Sequence, residues 1–86
     1  MRTAWPLGYR GDVLQHDVAA HLEHAYAWTR AASEVVPAVS QQVAPALTVA
    51  AQLYEARLYP IAVRQLAGVD LMVQQARLAY PALPEL

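Results

Sequence analysis

The stretch DVLQHDVAAHLEHAYAWTRAASEVV, residues 12–36, decides the fold class of this chain. Its apolar residues recur every three or four positions, which is the period of an α-helix with one buried face. Asp12 is followed three residues later by Gln15, and this capping-box arrangement predicts a helix start. We therefore predict a helix over residues 13–35. Its apolar stripe consists of Leu14, Val18, Leu22, Ala25, Thr29, Ala32 and Val36.

The composition is typical of a small helical protein that associates with partners. The chain has 86 residues, a net charge of −1 and no cysteine, so we expect one domain without disulfides. Hydrophobic residues make up 57% and charged residues 15% of it, against roughly 45–50% and 25% in average domains. Chains of this length bury only about 60–65% of their unfolded surface. No basic block is present, which argues against nucleic-acid binding.

Residue usage also bears on origin and location. Eighteen alanines, eleven leucines and ten valines accompany no lysine, asparagine or phenylalanine, which suggests a GC-rich genome such as that of an actinobacterium or its phage. The first twelve residues lack the apolar region of a signal peptide. The longest uncharged run, residues 35–54, has the length of a membrane span, but its polar residues and two prolines disfavour that role. We expect the protein in the cytoplasm or within a particle or complex.

Prolines divide the remainder of the chain. Pro37 predicts the end of the first helix, and Pro45 suits the first position of a second helix over residues 45–59. Between these prolines we expect a loop or a short helical turn. Pro60 interrupts the pattern again, but no Gly, Asn, Asp or Ser lies nearby to build a turn. We therefore expect a kink between two roughly coaxial helices, the second over residues 61–80, rather than a full reversal.

Both ends of the chain are predicted to be non-helical. Residues 1–11 are expected to form an extended arm, because a proline and two glycines disfavour a helix there. The apolar anchors of this arm alternate along it: Trp5, Leu7 and Tyr9. Residues 81–86 are expected to form a proline-rich tail with Leu83 and Leu86 as candidate anchors. The predicted fold is therefore all-α, a small two- to three-helix hairpin or bundle with proline-kinked helices over residues 12–80.

The third predicted helix is apolar on two faces. One face contains Ala62, Leu66, Val69, Val73, Ala76 and Tyr80. The other, about 140–160° away on the helical wheel, contains Val63, Ala67, Leu71 and Leu78. A helix that is apolar on two faces must be covered on both, and large exposed apolar patches usually mark interfaces. We therefore expect association with another chain, the alternative being that the second face only widens the core.

Tyrosine is enriched in buried interfaces because it combines a large apolar area with a polar end. The tyrosines either contribute to such an interface or complete the edge of the intramolecular core. The predicted interface residues are Trp5, Leu7, Tyr9, Tyr54, Leu58, Val63, Leu66, Leu71, Met72, Val73, Leu78 and Tyr80.

The histidines lie together in the first helix. One-turn spacing allows Asp17 with His21, or His21 with His24, to hold a metal ion. Further ligands would have to come from a second copy or from the remaining carboxylates Glu34, Glu55, Asp70 and Glu85. One alternative is a histidine at the edge of the core, packed beside Trp28, whose nitrogen reaches Asp17 or water. Another is acid/base or pH-sensing chemistry.

No catalytic set is apparent, because the sequence contains no HExxH, no nucleophile elbow and no glycine-rich phosphate loop. We expect a non-enzymatic structural or adaptor subunit of a homo-oligomer or larger complex, without a cofactor. A phage particle or an accessory bacterial complex would fit the composition. The alternative is a helical metal-binding protein that uses His21 with Asp17 or His24. The low cationic content argues against a membrane partner.

Overall fold

The computed structural model describes the backbone from residue 4 and the side chains from residue 14 onward. This part of the chain consists of three α-helices: α1 (Ala4–Ser33), α2 (Pro37–Glu55) and α3 (Tyr59–Ala79). Only residues 34–36 and 56–58 connect them. Connections this short place consecutive helices side by side and antiparallel. The described residues therefore form a small three-helix bundle, and the predicted all-α fold class is confirmed.

Helix α1 begins earlier than predicted. It starts at Ala4, so the extended arm predicted for residues 1–11 is wrong from residue 4 onward, and residues 1–3 lie outside the described residues. Pro6 falls in the first turn, where backbone N–H groups have no intrahelical partner to lose. Each glycine in this stretch costs only about 1 kcal/mol relative to alanine. Asp12 is consequently inside the helix, and the predicted start at this residue is also wrong.

Five of the seven residues predicted for the apolar stripe of α1 are buried, whereas Leu14 is half-buried and Val36 lies beyond the end of the helix. Its buried residues are Val18, Leu22, Ala25, Trp28, Thr29 and Ala32. The hydroxyl group of Thr29 donates a hydrogen bond to the carbonyl oxygen of Ala25 at 2.8 Å, which satisfies its polar atom inside the core. After Ser33 the chain turns, and Val36 has an extended backbone (φ −136°, ψ 89°). Val36 thus lies outside the helical region, which a following proline disfavours.

Helix α2 starts at Pro37, so the stretch between the two prolines is part of a long helix rather than the predicted loop or short helical turn, and the predicted start at Pro45 is wrong. Pro45 lies inside the helix and leaves the carbonyl of Gln41 without its usual donor, a defect that costs about 3 kcal/mol. Both residues are exposed, so water can hydrogen-bond to that carbonyl. Burial of one valine gains about 1.5–3 kcal/mol, and α2 buries four apolar residues: Val39, Val43, Leu47 and Ala50. Packing therefore outweighs the defect.

The chain reverses between α2 and α3, and the predicted kink between coaxial helices is wrong. The side-chain amide of Gln65 on α3 donates to the carbonyl of Ala46 on α2 at 3.0 Å, which shows that the two helices lie side by side. Arg57 adopts a left-handed φ of 64° at the turn. Its N–H bonds to the carbonyl of Tyr54, and the N–H of Leu58 bonds to the carbonyl of Leu53.

These two bonds form a Schellman motif, in which the left-handed position is usually glycine. Because Arg57 occupies that position, the turn has no glycine signal in the sequence.

Two clusters of buried side chains form the core, and each contains residues from all three helices. The cluster nearer the α2–α3 turn contains Val18, Leu22, Ala25, Leu47, Ala50, Ala62 and Leu66. The other contains Trp28, Ala32, Val39, Val43, Val69, Val73 and Leu83. The last of these comes from beyond α3, so residues 80–86 contribute to the core. None of the described helices combines the length and the apolar character needed to cross a membrane.

Candidate functional site

The two apolar faces predicted for α3 have different surroundings in the structure. The inner face is buried in the core through Ala62, Leu66, Val69 and Val73. The outer face consists of Val63, Ala67, Leu71 and Leu78, and all four are exposed. Leu71 is 55% and Leu78 84% accessible to solvent. Within a single chain the bundle thus leaves four apolar side chains of α3 uncovered on one face, with the exposed Gln74 between Leu71 and Leu78.

The predicted interface residues do not all lie on the outer face. Leu66 and Val73 are buried within the chain, so the prediction that they contact a partner is wrong. Their three- and four-residue spacing to the other inner-face residues directs them toward α1 and α2 instead. Tyr54 packs against the first core cluster and Met72 against the second, both half-buried.

The other predicted interface residues are exposed or undescribed. Leu58 and Tyr80 lie at the two ends of α3 and are 44% and 47% accessible. The side chains of Trp5, Leu7 and Tyr9 lie outside the described residues. The exposed apolar residues of α3 and its ends therefore remain the predicted surface for a partner.

An open cleft of about 450 Å³ lies between α1, α3 and the end of the chain. We call it the histidine cleft, and its lining consists of His21, His24, Asp70, Val73, Gln74, Arg77, Glu85 and Leu86. Five of these eight residues have ionisable side chains. The cleft brings the predicted histidines together with carboxylates that are distant in the sequence.

Both histidines of the cleft are engaged through Nε2. His21 donates to Oδ1 of Asp70 at 2.9 Å, since a carboxylate can only accept, and the two side chains are 35% and 33% accessible. His24 donates to the main-chain oxygen of Leu86 at 2.9 Å. Asp17, the partner that the sequence suggested for His21, is exposed. His21 is therefore at the edge of the core, but its partner is on α3.

The structure does not complete the predicted metal site. Among the side chains that it describes, no three histidine, cysteine, aspartate or glutamate groups lie close enough to share a metal ion. The two hydrogen bonds just described direct His21 to Asp70 and His24 to Leu86 rather than to a shared position. The described side chains of one copy therefore do not supply three ligands for a metal ion at Asp17, His21 and His24.

Residues 80–86, which we call the tail, close one side of the histidine cleft. The indole N–H of Trp28 donates to the carbonyl of Pro84 at 2.7 Å. Leu83 is only 3% accessible, and the half-buried Leu86 packs against the same core cluster. Both leucines are therefore the anchors that the sequence predicted. Arg77 lies 3.8 Å from the carboxylate of Glu85.

Sequence reasoning missed the links from α1 to α3 and to the tail. His21 and Asp70 are 49 positions apart, and Trp28 and Pro84 are 56 apart, so no local spacing signals either contact. No protein-family model matches this chain, and neither a curated protein nor a solved structure matches it. Function is therefore inferred from the geometry of the outer face of α3 and of the histidine cleft.

Proposed function

We propose that this chain is a non-enzymatic structural or adaptor subunit that associates with copies of itself through the outer face of α3. The observation that supports this proposal is the exposure of Val63, Leu71 and Leu78 on one side of a helix whose other side is buried. A group of exposed apolar side chains on one helix face is unfavourable in water and is typical of interfaces.

The spacing along the outer face suits pairing with a second copy. From Val63 to Leu78 the stripe is about 22 Å long at 1.5 Å per residue. Leu71 lies near its middle. When two α3 helices pair antiparallel about a two-fold axis, Val63 of each copy lies opposite Leu78 of the other, and the two Leu71 side chains meet at the axis. A two-fold interface requires such a self-complementary surface.

Light scattering over a micromolar to millimolar concentration series tests the proposal. Wild-type chain is expected to be a dimer or a larger oligomer, with a mass that falls on dilution. Leu71→Glu is expected to be monomeric at the same concentrations, because it places two like charges at the apolar centre of the interface. Its helical circular dichroism should remain, since Leu71 is already more than half exposed.

Gln41→Glu is the matched control, because Gln41 is exposed on α2 and therefore lies away from the outer face of α3. It adds the same charge and should retain the wild-type mass. A wild-type chain that stays monomeric at millimolar concentration while melting cooperatively would contradict the proposal. The absence of lysine, asparagine and phenylalanine supports a phage particle or an accessory bacterial complex as the setting.

A further inference from the structure

The tail returns along α1 after α3 ends. A turn at its start is formed by the N–H of Leu83 donating to the carbonyl of Tyr80 at 3.0 Å. Leu83 then enters the core cluster that contains Trp28 and Val73. The following residues, 84–86, are non-helical and lie against α1. The tail is therefore a short irregular segment held on the surface of two helices.

Two side chains of α1 donate hydrogen bonds to main-chain oxygens of the tail. Trp28 bonds to Pro84 at 2.7 Å and His24 bonds to Leu86 at 2.9 Å. The donors are four residues apart on a helix, which is about 6 Å along its axis. Two residues of extended chain span about 6.6 Å. The spacing of the donors therefore matches two main-chain oxygens two residues apart in a segment that runs antiparallel to α1.

The side chains of the tail supply the selectivity that bonds to the main chain lack. Leu83 is almost fully buried, whereas Pro84 has no N–H that would need a partner at this surface. The carboxylate of Glu85 lies 3.8 Å from the guanidinium group of Arg77. Leu86 is half-buried and packs against the core cluster that contains Trp28. The chemistry of the bound segment is thus leucine, proline, acidic residue, leucine.

We propose that the surface of α1 and α3 beneath the tail is a peptide-binding groove for extended Leu-Pro-acidic-Leu segments, which the chain's own tail occupies. The contacts combine main-chain recognition with a buried side-chain anchor, as in other grooves that bind extended peptides. Because the tail is joined to α3 by a short linker, its effective concentration at the groove is in the millimolar range. A segment from a partner protein binds when the tail is released.

The full chain with Leu83→Asp tests the groove, because a charge at the buried anchor should release the tail. The probe is a fluorescein-labelled peptide YPALPEL, the sequence of the tail, and binding is measured by fluorescence anisotropy. The variant is expected to bind it saturably, with wild-type chain roughly a hundredfold weaker because its tail competes. A peptide with aspartate in place of its first leucine should not bind.

Hydrogen-bond donors can be tested in the Leu83→Asp background. His24→Ala should weaken peptide binding roughly fivefold, the effect of one lost hydrogen bond. His16→Ala is the matched control, because His16 is an exposed histidine of the same helix that is outside the lining of the histidine cleft. It should leave the affinity unchanged. Equal effects of the two substitutions would contradict the role assigned to His24.

Nuclear magnetic resonance of the Trp28 indole N–H reports directly on the tail. The resonance should shift in Leu83→Asp and return toward its wild-type position when peptide is added. The proposal is overturned if the resonance does not shift, or if it shifts and the peptide fails to bind at millimolar concentration. If Leu83→Asp loses its helical circular dichroism, Leu83→Ala replaces it under the same criteria. If Leu83→Asp also associates with wild-type chains, and the peptide abolishes that association, the result would support the tail of a second copy as the ligand.

The oligomer and groove tests are independent of each other. Peptide binding depends on α1 and on Val73 and Arg77 of α3, whereas self-association is proposed to centre on Leu71 of the outer face. Leu71→Glu should have the same affinity for the peptide as the wild-type chain. Failure of either proposal can therefore be recognised separately.

Discussion

Nε2 of His21 donates a hydrogen bond to Oδ1 of Asp70 at 2.9 Å, and this contact joins two helices that are not consecutive in the chain. Both side chains are about one-third accessible to solvent. At that exposure the surrounding water screens the interaction, so its contribution to stability is modest. Its main consequence is to align α1 with α3 at the edge of the histidine cleft.

A double-mutant cycle with His21→Ala and Asp70→Ala measures this contact. We expect a coupling free energy of about 0.5–1 kcal/mol from urea unfolding, because partly exposed pairs contribute in this range. His21→Ala combined with Asp17→Ala is the control, since Asp17 is exposed and makes no hydrogen bond to His21. A larger coupling in the control cycle than in the first would show that His21 prefers Asp17.

Arg57→Gly is expected to stabilise the chain. Arg57 has a φ of 64°, and a left-handed backbone costs an L-residue roughly 1–2 kcal/mol that glycine largely avoids. Glycine also has a more flexible unfolded state, so we expect a net gain of about 1 kcal/mol. Thermal unfolding should shift upward by about 4–8 °C per kcal/mol for a domain of this size.

Arg64→Gly provides the opposite result for comparison. Arg64 is exposed and lies inside α3, so glycine there should lower the free energy of unfolding by about 1 kcal/mol. Destabilisation by both substitutions would be inconsistent with a left-handed residue at the α2–α3 turn.

The leucines on the two faces of α3 should respond differently to truncation. Leu66 is fully buried, so Leu66→Ala should cost about 2–5 kcal/mol through lost burial and the cavity left behind. Leu71 is 55% accessible, so Leu71→Ala should change the stability of the dilute chain by about 0.5 kcal/mol or less. Urea unfolding at low protein concentration measures both. Similar costs for the two would contradict the assignment of inner and outer faces.

Gly68→Ala should stabilise α3. Nothing lies within 4 Å of the position that a Cβ atom would occupy, so the new methyl group meets no obstacle. Alanine in a helix interior is favoured over glycine by about 0.5–1 kcal/mol, mainly because it restricts the unfolded chain. Thermal unfolding should show the increase, and Ala67→Gly at the preceding residue should show a decrease of similar size. A loss of stability in Gly68→Ala would indicate a hidden contact at this surface.

Local periodicity predicted most of the fold, and it failed where a tertiary contact opposed a local signal. The buried face of α1 and the two faces of α3 follow from three- and four-residue spacings, because these positions share one side of a helix. The helix starts predicted at Asp12 and Pro45 were wrong, because the structure places both residues, and also Pro6, inside helices. Proline at a first turn loses no bond, and a defect on an exposed face is outweighed by burial on the other.

The sequence by itself determined that the chain is helical and which faces are apolar, and it offered Leu83 and Leu86 as candidate anchors. Only the tertiary structure decided that Arg57 reverses the chain, that Asp70 is the partner of His21 and that Trp28 holds the tail. The physical reason is the separation along the sequence of the residues that make each contact. A helical face is specified by residues within one or two turns, whereas these contacts join residues brought together when three helices share one core.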